Sequence, residues 1–400
     1  MGTAALVNNF CPAHLDGTRL IIGGIFAELR NRLIMRRALY SAADDASSIG
    51  EFYDPEIFAE EMNVMLKQAE VHCLYGENVE EVKFGKNDVR FLLRQGRTLH
   101  ARAVVDATGD AALAAKGGTS FQFGRARDGA VMPLTFCFSM GPVNLAALHS
   151  ELPDCLRYDE RTGENYCHII SHPEIDRRML AARARGELDI PLDRVPGVVS
   201  IPGRPEIVTV NFDRVACQYP TDQVQLARAS EEGRRQIEQG AAFFRAAIPG
   251  FTNTQVIEIA RQIGVRQSRQ IDGLYELTTE DCVSCRQFED VIAQCSYSLD
   301  MHEPESDAIT LIRFEPGTHY DIPWRCLIPR NGPENLVVAG RCISASAGAM
   351  SSLRVSPSAM AIGEAAGVTA SLAVRDSIPG KTVNWREVQA ALNQHGAILN

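Results

Sequence analysis

No run of about twenty apolar residues, the length a spanning helix needs, occurs in this 400-residue chain. The longest stretch of low polarity, residues 359–374, is rich in Ala and Gly and is interrupted by Glu364, so no transmembrane role is expected. Met1 is followed by neither a basic segment nor a continuous apolar one, so no export is expected and the cytoplasm is the default. Clusters of Lys and Arg are missing too. With a formal net charge of -10, a nucleic-acid backbone or an anionic membrane would be repelled. A second C-x-x-C pair is absent, and so is a C-x-x-C-x-x-C run. That argues against tetrahedral zinc and gives an iron–sulfur cluster no support. The eleven cysteines, an odd number scattered from Cys11 to Cys342, are expected to be mostly reduced thiols. Cys282 and Cys285, with Cys295 ten residues on, read as ordinary thiols ahead of a metal site or a cycling dithiol. No internal repeat, low-complexity tract or long linker is visible.

What is present is a composition of 45% hydrophobic and 22% charged residues, enough for a large core divided into two or three domains. Residues 103–107, A-V-V-D-A, form a short apolar run with β-branched members, followed by Thr108-Gly109-Asp110, the segment 111–116 and Gly117-Gly118. This reads as buried strand, tight turn and short helix, with Asp110 capping the helix and the glycines ending it. A plain strand–turn–helix of an α/β sheet and a ligand site fit equally well. The same grammar returns at 336–340, L-V-V-A-G, before the loop 341–346. Ser356-Pro357 then reads as an N-cap and first-turn proline opening a long helix of small residues, including Gly363, Ala365, Ala366 and Gly367. Its N-terminus would suit an anionic ligand, although a close-packed core helix is the plainer reading.

Elsewhere, 131–140 and 206–215 read as strands, and 222–247 has helical spacing of Leu226, Ala229, Ile237, Phe243 and Phe244. A mixed or antiparallel sheet capped by helices is expected there. A helix is expected over 54–69, and short strands over 71–73, 79–84, 89–93 and 98–101. Gly23-Gly24 reads as part of an apolar loop.

Several segments, in order along the chain, resemble the FAD-dependent oxidoreductase family that includes heterodisulfide-reductase-A-like proteins. They are V-V-D-A-T-G-D-A-A-L-A (104–114), V-N-F-D-R-V (210–215), I-G-V-R-Q-S-R-Q-I-D-G-L-Y-E-L-T-T-E-D (263–281), Y-S-L-D-M-H (297–302), Y-D-I-P-W-R-C-L-I-P (320–329), V-A-G-R-C-I-S-A-S (338–346) and S-L-R-V-S-P-S-A-M-A-I-G-E-A-A-G (352–367). D-P-E-I-F (54–58) and P-G-F (249–251) extend the likeness over nearly the whole chain. It implies a glutathione-reductase-like α/β fold: an FAD-binding domain in two parts, 1–119 and 316–400, interrupted by a mixed α+β substrate domain over 120–315. The family's opening strand, G-x-G-x-x-G turn and helix are not found, and Met1–Val7 look like the end of a later glycine-rich loop. About one βαβ unit, roughly 30 residues or more, is thus expected upstream, as is weakened FAD binding without it.

The resemblance further implies that FAD is met by the backbone near Val79 and by Thr108, Gly109, Asp110, Gly340, Arg341, Arg354 and Ser356. Flavin supplies an electron sink, so the expected chemistry is hydride transfer from a small organic substrate. Arg266, Arg269, Arg325, Arg341 and Arg354 could each hold an acidic substrate with two hydrogen bonds, the plainer role being a structural ion pair. Arg266 and Arg325 are the expected catalytic arginines. His302 is the foremost acid or base, a structural histidine being the plainer reading, and His14, near Asp16-Gly17, is weaker. Gln267 and Gln270 stand where the family commonly has Glu and Arg. The alternative is a non-catalytic or FAD-deficient partner subunit, or a fragment of such an enzyme, with the same positions facing a partner or an empty cleft. Homo-oligomerisation, or a partner subunit carrying the missing unit, is compatible with either.

Overall fold

A computed structural model of the chain describes residues 8–11, 19–40, 50–86, 88–304, 307 and 309–399. His14 and the segment Met1–Val7 lie outside the described residues. The architecture is mixed α/β. Two apolar runs far apart in sequence, Val104–Asp106 and Leu336–Val338, pair in parallel with Val105 opposite Val337. A parallel pair requires a crossover connection. Here the intervening chain includes the second sheet, six strands in the order Leu156–Asp159, Glu164–Ile169, Gly197–Ile201, Arg204–Asn211, Cys137–Gly141 and Gln255–Ile259. All adjacent pairs in it are antiparallel. Small residues follow both members of the parallel pair, Ala107 after one and Ala339-Gly340 after the other, and the loops leaving them meet where Arg341 approaches Asp110.

Local chemistry sets several helix limits. Asp54 accepts the N–H groups of Glu56 (2.8 Å) and Ile57 (3.3 Å) and opens the helix Pro55–Gln68. Asp222 does the same for Gln223–Ala247 through Gln225 N–H at 2.8 Å. That helix buries Ala229, Ile237, Ala241, Phe243 and Phe244 in one core with the six-stranded sheet. Another core is one in which the helix Ser356–Asp376 packs its buried Ala365 and Ala366 with the parallel strands. Thr369 of the same helix accepts the Trp324 indole N–H at 3.1 Å.

Five sequence expectations are corrected. Of 131–140, only Cys137–Gly141 is a strand; Pro133 has no N–H to give a ladder, and Leu134 and Thr135 make only isolated bridges. The second expected strand is Arg204–Asn211, stopping short of Phe212 and Asp213. Residues 71–73 are irregular, with Val71 49% exposed, because no described neighbour offers them a ladder. The Gly23-Gly24 region is not simply a loop but the start of the helix Gly24–Met35, which buries Phe26, Leu29 and Leu33 on one face. A further helix, Ala347–Leu353, precedes the long one, and Val355 takes the cap position expected of Ser356, with no side-chain cap.

Candidate functional site

The loop after Val104–Asp106 is organised by Asp106. Its Oδ1 accepts the Thr108 N–H (3.0 Å) and hydroxyl (2.7 Å), and its Oδ2 accepts the N–H groups of Leu113 and Ala114, both at 2.8 Å. Asp106, not Asp110, therefore caps the short helix Ala112–Lys116. Asp110 faces elsewhere: its Oδ1 accepts the Ser268 hydroxyl at 2.6 Å and stands 3.6 Å from Arg341 Nη1. Arg269 Nη1 donates to the Asp110 carbonyl at 3.1 Å. Gly109 adopts φ +78°, and a Cβ there would meet Arg341 Nη2 at 2.4 Å. A side chain is thus disfavoured by conformation and would have to displace the Arg341 guanidinium. Gly340 also has positive φ, +66°, but open space around it.

Arg341 is largely buried, and desolvation lowers its pKa while Asp110 opposes the shift. Its Nη1 has no hydrogen bond. The neighbouring Cys342 is fully buried, its sulfur accepts the Ala111 N–H at 3.1 Å, and burial pushes the thiol up to about 12. It is a packed thiol, and its burial opposes the thiolate form that a nucleophile needs.

A second polar cluster is centred on Asp300. Its Oδ2 receives the Tyr297 hydroxyl at 3.2 Å, His302 Nε2 at 3.1 Å and Arg354 Nη2 at 3.2 Å. Burial opposes ionisation of Asp300, but His302 and the guanidinium groups of Arg354 and Arg266 outweigh it and hold the carboxyl well below its usual range. His302 is pushed down to about 4 by burial and by Arg266, so the ring is neutral near pH 7. The neighbours choose its tautomer. Asp300 only accepts, so Nε2 carries the proton; Nδ1 then accepts from Arg214 Nη1, 3.4 Å away. Both ring nitrogens are engaged, and His302 lies between Asp300 and Arg214. Arg214, whose Nη2 donates to the Glu303 carbonyl at 2.6 Å, was not singled out from the sequence, although the V-N-F-D-R-V segment contains it.

The other expected residues divide. Arg266 donates Nη1 to the Pro133 carbonyl at 2.6 Å and is near enough to Asp300 to favour its ionised form; burial lowers the Arg266 pKa to about 10, with Arg354 adding to the shift. Arg325 does not join this cluster. It grips Asp290 with two nitrogens, at 2.9 and 3.0 Å, and lies 5.0 Å over the Tyr275 ring, so the structure gives it an ion-pair role. The Val79 carbonyl accepts Lys116 Nζ at 3.3 Å. Gln267 donates to Gln270 at 3.4 Å, a neutral contact in place of an ion pair. Cys282 is buried with its thiol pKa pushed up by desolvation, while Cys285 is half-buried. Among the described residues no group of three or more His, Cys, Asp and Glu side chains could hold a metal, and no helix is long and apolar enough to cross a membrane.

Three buried polar atoms near the strand ends lack hydrogen bonds: Arg341 Nη1, Arg354 Nε and Ser358 Oγ. Beside them the Ser356–Asp376 helix begins without a side-chain cap. Unused donors, an open backbone at Gly340 and a bare helix N-terminus suit a planar ligand that accepts hydrogen bonds and tolerates negative charge. In open α/β sheets ligands bind beyond the carboxyl ends of parallel strands, where these two loops meet.

The chain matches the model of the family described as FAD dependent oxidoreductase over residues 1–392. It belongs to that family, and the residues above fit its FAD. No curated protein matches the chain. Among solved structures, p-nitrophenol 4-monooxygenase PnpA from Pseudomonas putida DLL-E4 is similar at 14% identity and TM-score 0.31, over 67% of this chain and 54% of that one. Halogenase PltM matches at 13% identity and TM-score 0.30, over 56% and 38%. The flavin-dependent monooxygenase PieE, solved with FAD and substrate, matches at 11% identity and TM-score 0.31, over 85% and 41%. This chain thus spans about half or less of the length of these structures.

Proposed function

We propose that the protein is an FAD-dependent oxidoreductase of glutathione-reductase-like arrangement that takes a hydride from a small organic substrate. The observation that supports this best is the convergence of the two strand-end loops, with Gly109 packed against Arg341 beside the uncapped Ser356–Asp376 helix. Gly109, Asp110, Gly340, Arg341 and the first turn of that helix would hold the flavin, and Thr108 would keep the turn in shape through Asp106. When bound, FAD supplies the acceptor for the substrate's electron pair. The protein's own residues orient the substrate and exclude water. Asp300 steadies Arg354 and His302, and neutral His302 steadies Arg214. Arg354 stands between the two clusters, hydrogen-bonded to Asp300 and near enough to Arg341 to depress its pKa.

The test is FAD titration of the 400-residue chain, followed by anaerobic addition of small organic acids and alcohols with the visible flavin absorbance recorded. Saturable FAD binding and bleaching by at least one substrate are expected. A chain that binds FAD yet is reduced by none of them, or that binds no FAD unless a second polypeptide supplies a phosphate-binding unit, would favour the partner-subunit reading.

A further inference from the structure

The Asp300 cluster holds more cationic donors than the protein itself uses. A guanidinium carries five N–H groups. Arg354 uses Nη2 on Asp300, and its Nε is buried with no partner. Arg266 uses Nη1 on the Pro133 carbonyl. Among the described residues, one ionised carboxylate, Asp300, stands against these two guanidinium groups, since His302 is neutral. Asp213, the other carboxyl facing Arg266, is held protonated by burial, its pKa raised to about 8. Arg214 is engaged separately, by the Glu303 carbonyl and His302. About one positive charge is therefore left over in a largely buried place, next to a donor that has no acceptor. Leaving a charge buried and unpaired is strongly unfavourable, and a bound anion removes both defects at once.

We infer that Arg354 and Arg266, steadied by Asp300, form a seat for a carboxylate of the substrate, so that the substrate is an organic acid. This rests on the oxidoreductase reading and names the substrate class for the same site. One surplus charge and planar, forked donors match a carboxylate monoanion, whereas a phosphate dianion would overcompensate the charge and is tetrahedral. The other source of a planar anion is reduced flavin itself, and Arg354 is close enough to the flavin side for the two to be tested against each other.

Benzoate and succinate are the probes, with inorganic phosphate for comparison, titrated calorimetrically into the flavin-free 400-residue chain near pH 7. Saturable binding of at least one carboxylate, tighter than phosphate, is expected. Arg354→Gln and Arg266→Gln should each weaken it about tenfold or more, the loss of one charge-assisted contact. Arg177→Gln, at an exposed pair with Glu174, should leave it unchanged. Arg354→Lys keeps the charge but not the fork, so it should bind more weakly than wild type even if the Gln variant folds poorly. No carboxylate binding, or equal binding by the wild type and the Arg354 and Arg266 variants, would overturn the seat. Loss of benzoate binding on adding FAD would overturn it as a substrate seat and assign the anion to flavin. Arginine-dependent binding without flavin reduction by any acid would uphold the seat while the hydride-transfer reading fails.

Discussion

Two buried aspartates, one after the end of a strand in the six-stranded sheet and one in the cofactor-side cluster, titrate in opposite directions. Asp213 has a backbone N–H from Phe136 at 2.7 Å on Oδ2, but its Oδ1 has no partner, and burial raises its pKa to about 8. Asp300 is also largely buried, yet three side-chain donors meet on one oxygen and its pKa is lowered. The surroundings repeat the contrast. Asp213 sits among aromatic side chains such as Phe136 and Phe212, in a core where Phe212, Phe243, Phe244 and Phe251 stack and tilt against one another. The cofactor side buries Ser351, Ser352, Ser358, Thr369 and Asp321 alongside its apolar residues. Burial is common to both; the number of donors supplied decides whether a carboxyl keeps its charge. The apolar region can be complete without a ligand, whereas the polar one retains unused donors.

The largest test removes an aromatic anchor from the apolar side. Phe244→Ala, at a fully buried ring, should cost ~3–5 kcal/mol in denaturant unfolding while leaving the residues around Arg341 and Asp300 untouched. A cost below ~1 kcal/mol would mean that this core is not the principal source of stability. Next, Asp300→Asn should cost about 3 kcal/mol, because Arg354 and Arg266 would lose the ionised carboxylate that the described residues set against them. That variant should regain part of the loss in high benzoate, which the Phe244 variant should not.

Arg341→Ala and Cys342→Ala separate neighbours on the cofactor side. Loss of the guanidinium beside Asp110 and Gly109 should weaken FAD binding about ten- to a hundredfold, or ~1.5–3 kcal/mol. The Cys342 variant should bind nearly as wild type, since its thiol only accepts the Ala111 N–H. An equal loss in fluorescence-monitored FAD titrations would move the important contact from Arg341 to the sulfur.

The smallest effect is the pH slope that the two carboxyl environments imply. Asp213 has its folded pKa raised from 3.8 to about 8, so its stabilising contribution is complete below pH 4 and is lost as pH rises through 8. His302 has its folded value lowered from 6.5 to about 4, so its contribution is present above 6.5 and is lost as pH falls through 4. The two oppose each other between pH 4 and 6.5, and Asp213 alone acts between 6.5 and 8. There wild-type stability should fall by up to ~1.4 kcal/mol per pH unit, and Asp213→Asn should flatten the slope. An unchanged slope in the Asn variant would show that Asp213 is already ionised in the folded protein.

Much of the scaffold was legible because its causes are local. The runs at 104–106 and 336–338 are short, apolar and followed by glycines, and they are indeed neighbours. The caps at Asp54 and Asp222 act on N–H groups two or three residues away. Where a segment depends on a distant partner, the sequence pattern misleads: residues 71–73 have strand composition but no described strand beside them, and Asp110 has cap chemistry although Asp106 already does that work. The site was legible as residue types more than as roles. Arg266 and Arg325 look alike in sequence, yet one bonds the Pro133 carbonyl within electrostatic reach of Asp300 and the other is bound to Asp290.

By itself the sequence determined the family, the mixed α/β character and the loops that meet at the cofactor side, since repeating patterns of strand, glycine and capped helix are written in consecutive residues. Only the tertiary structure decided which groups are charged and which donors are left over. His302 meets Arg214 across 88 residues and Asp300 meets Arg354 across 54, and ionisation depends on burial and on those partners, neither of which is encoded in a residue's immediate neighbours.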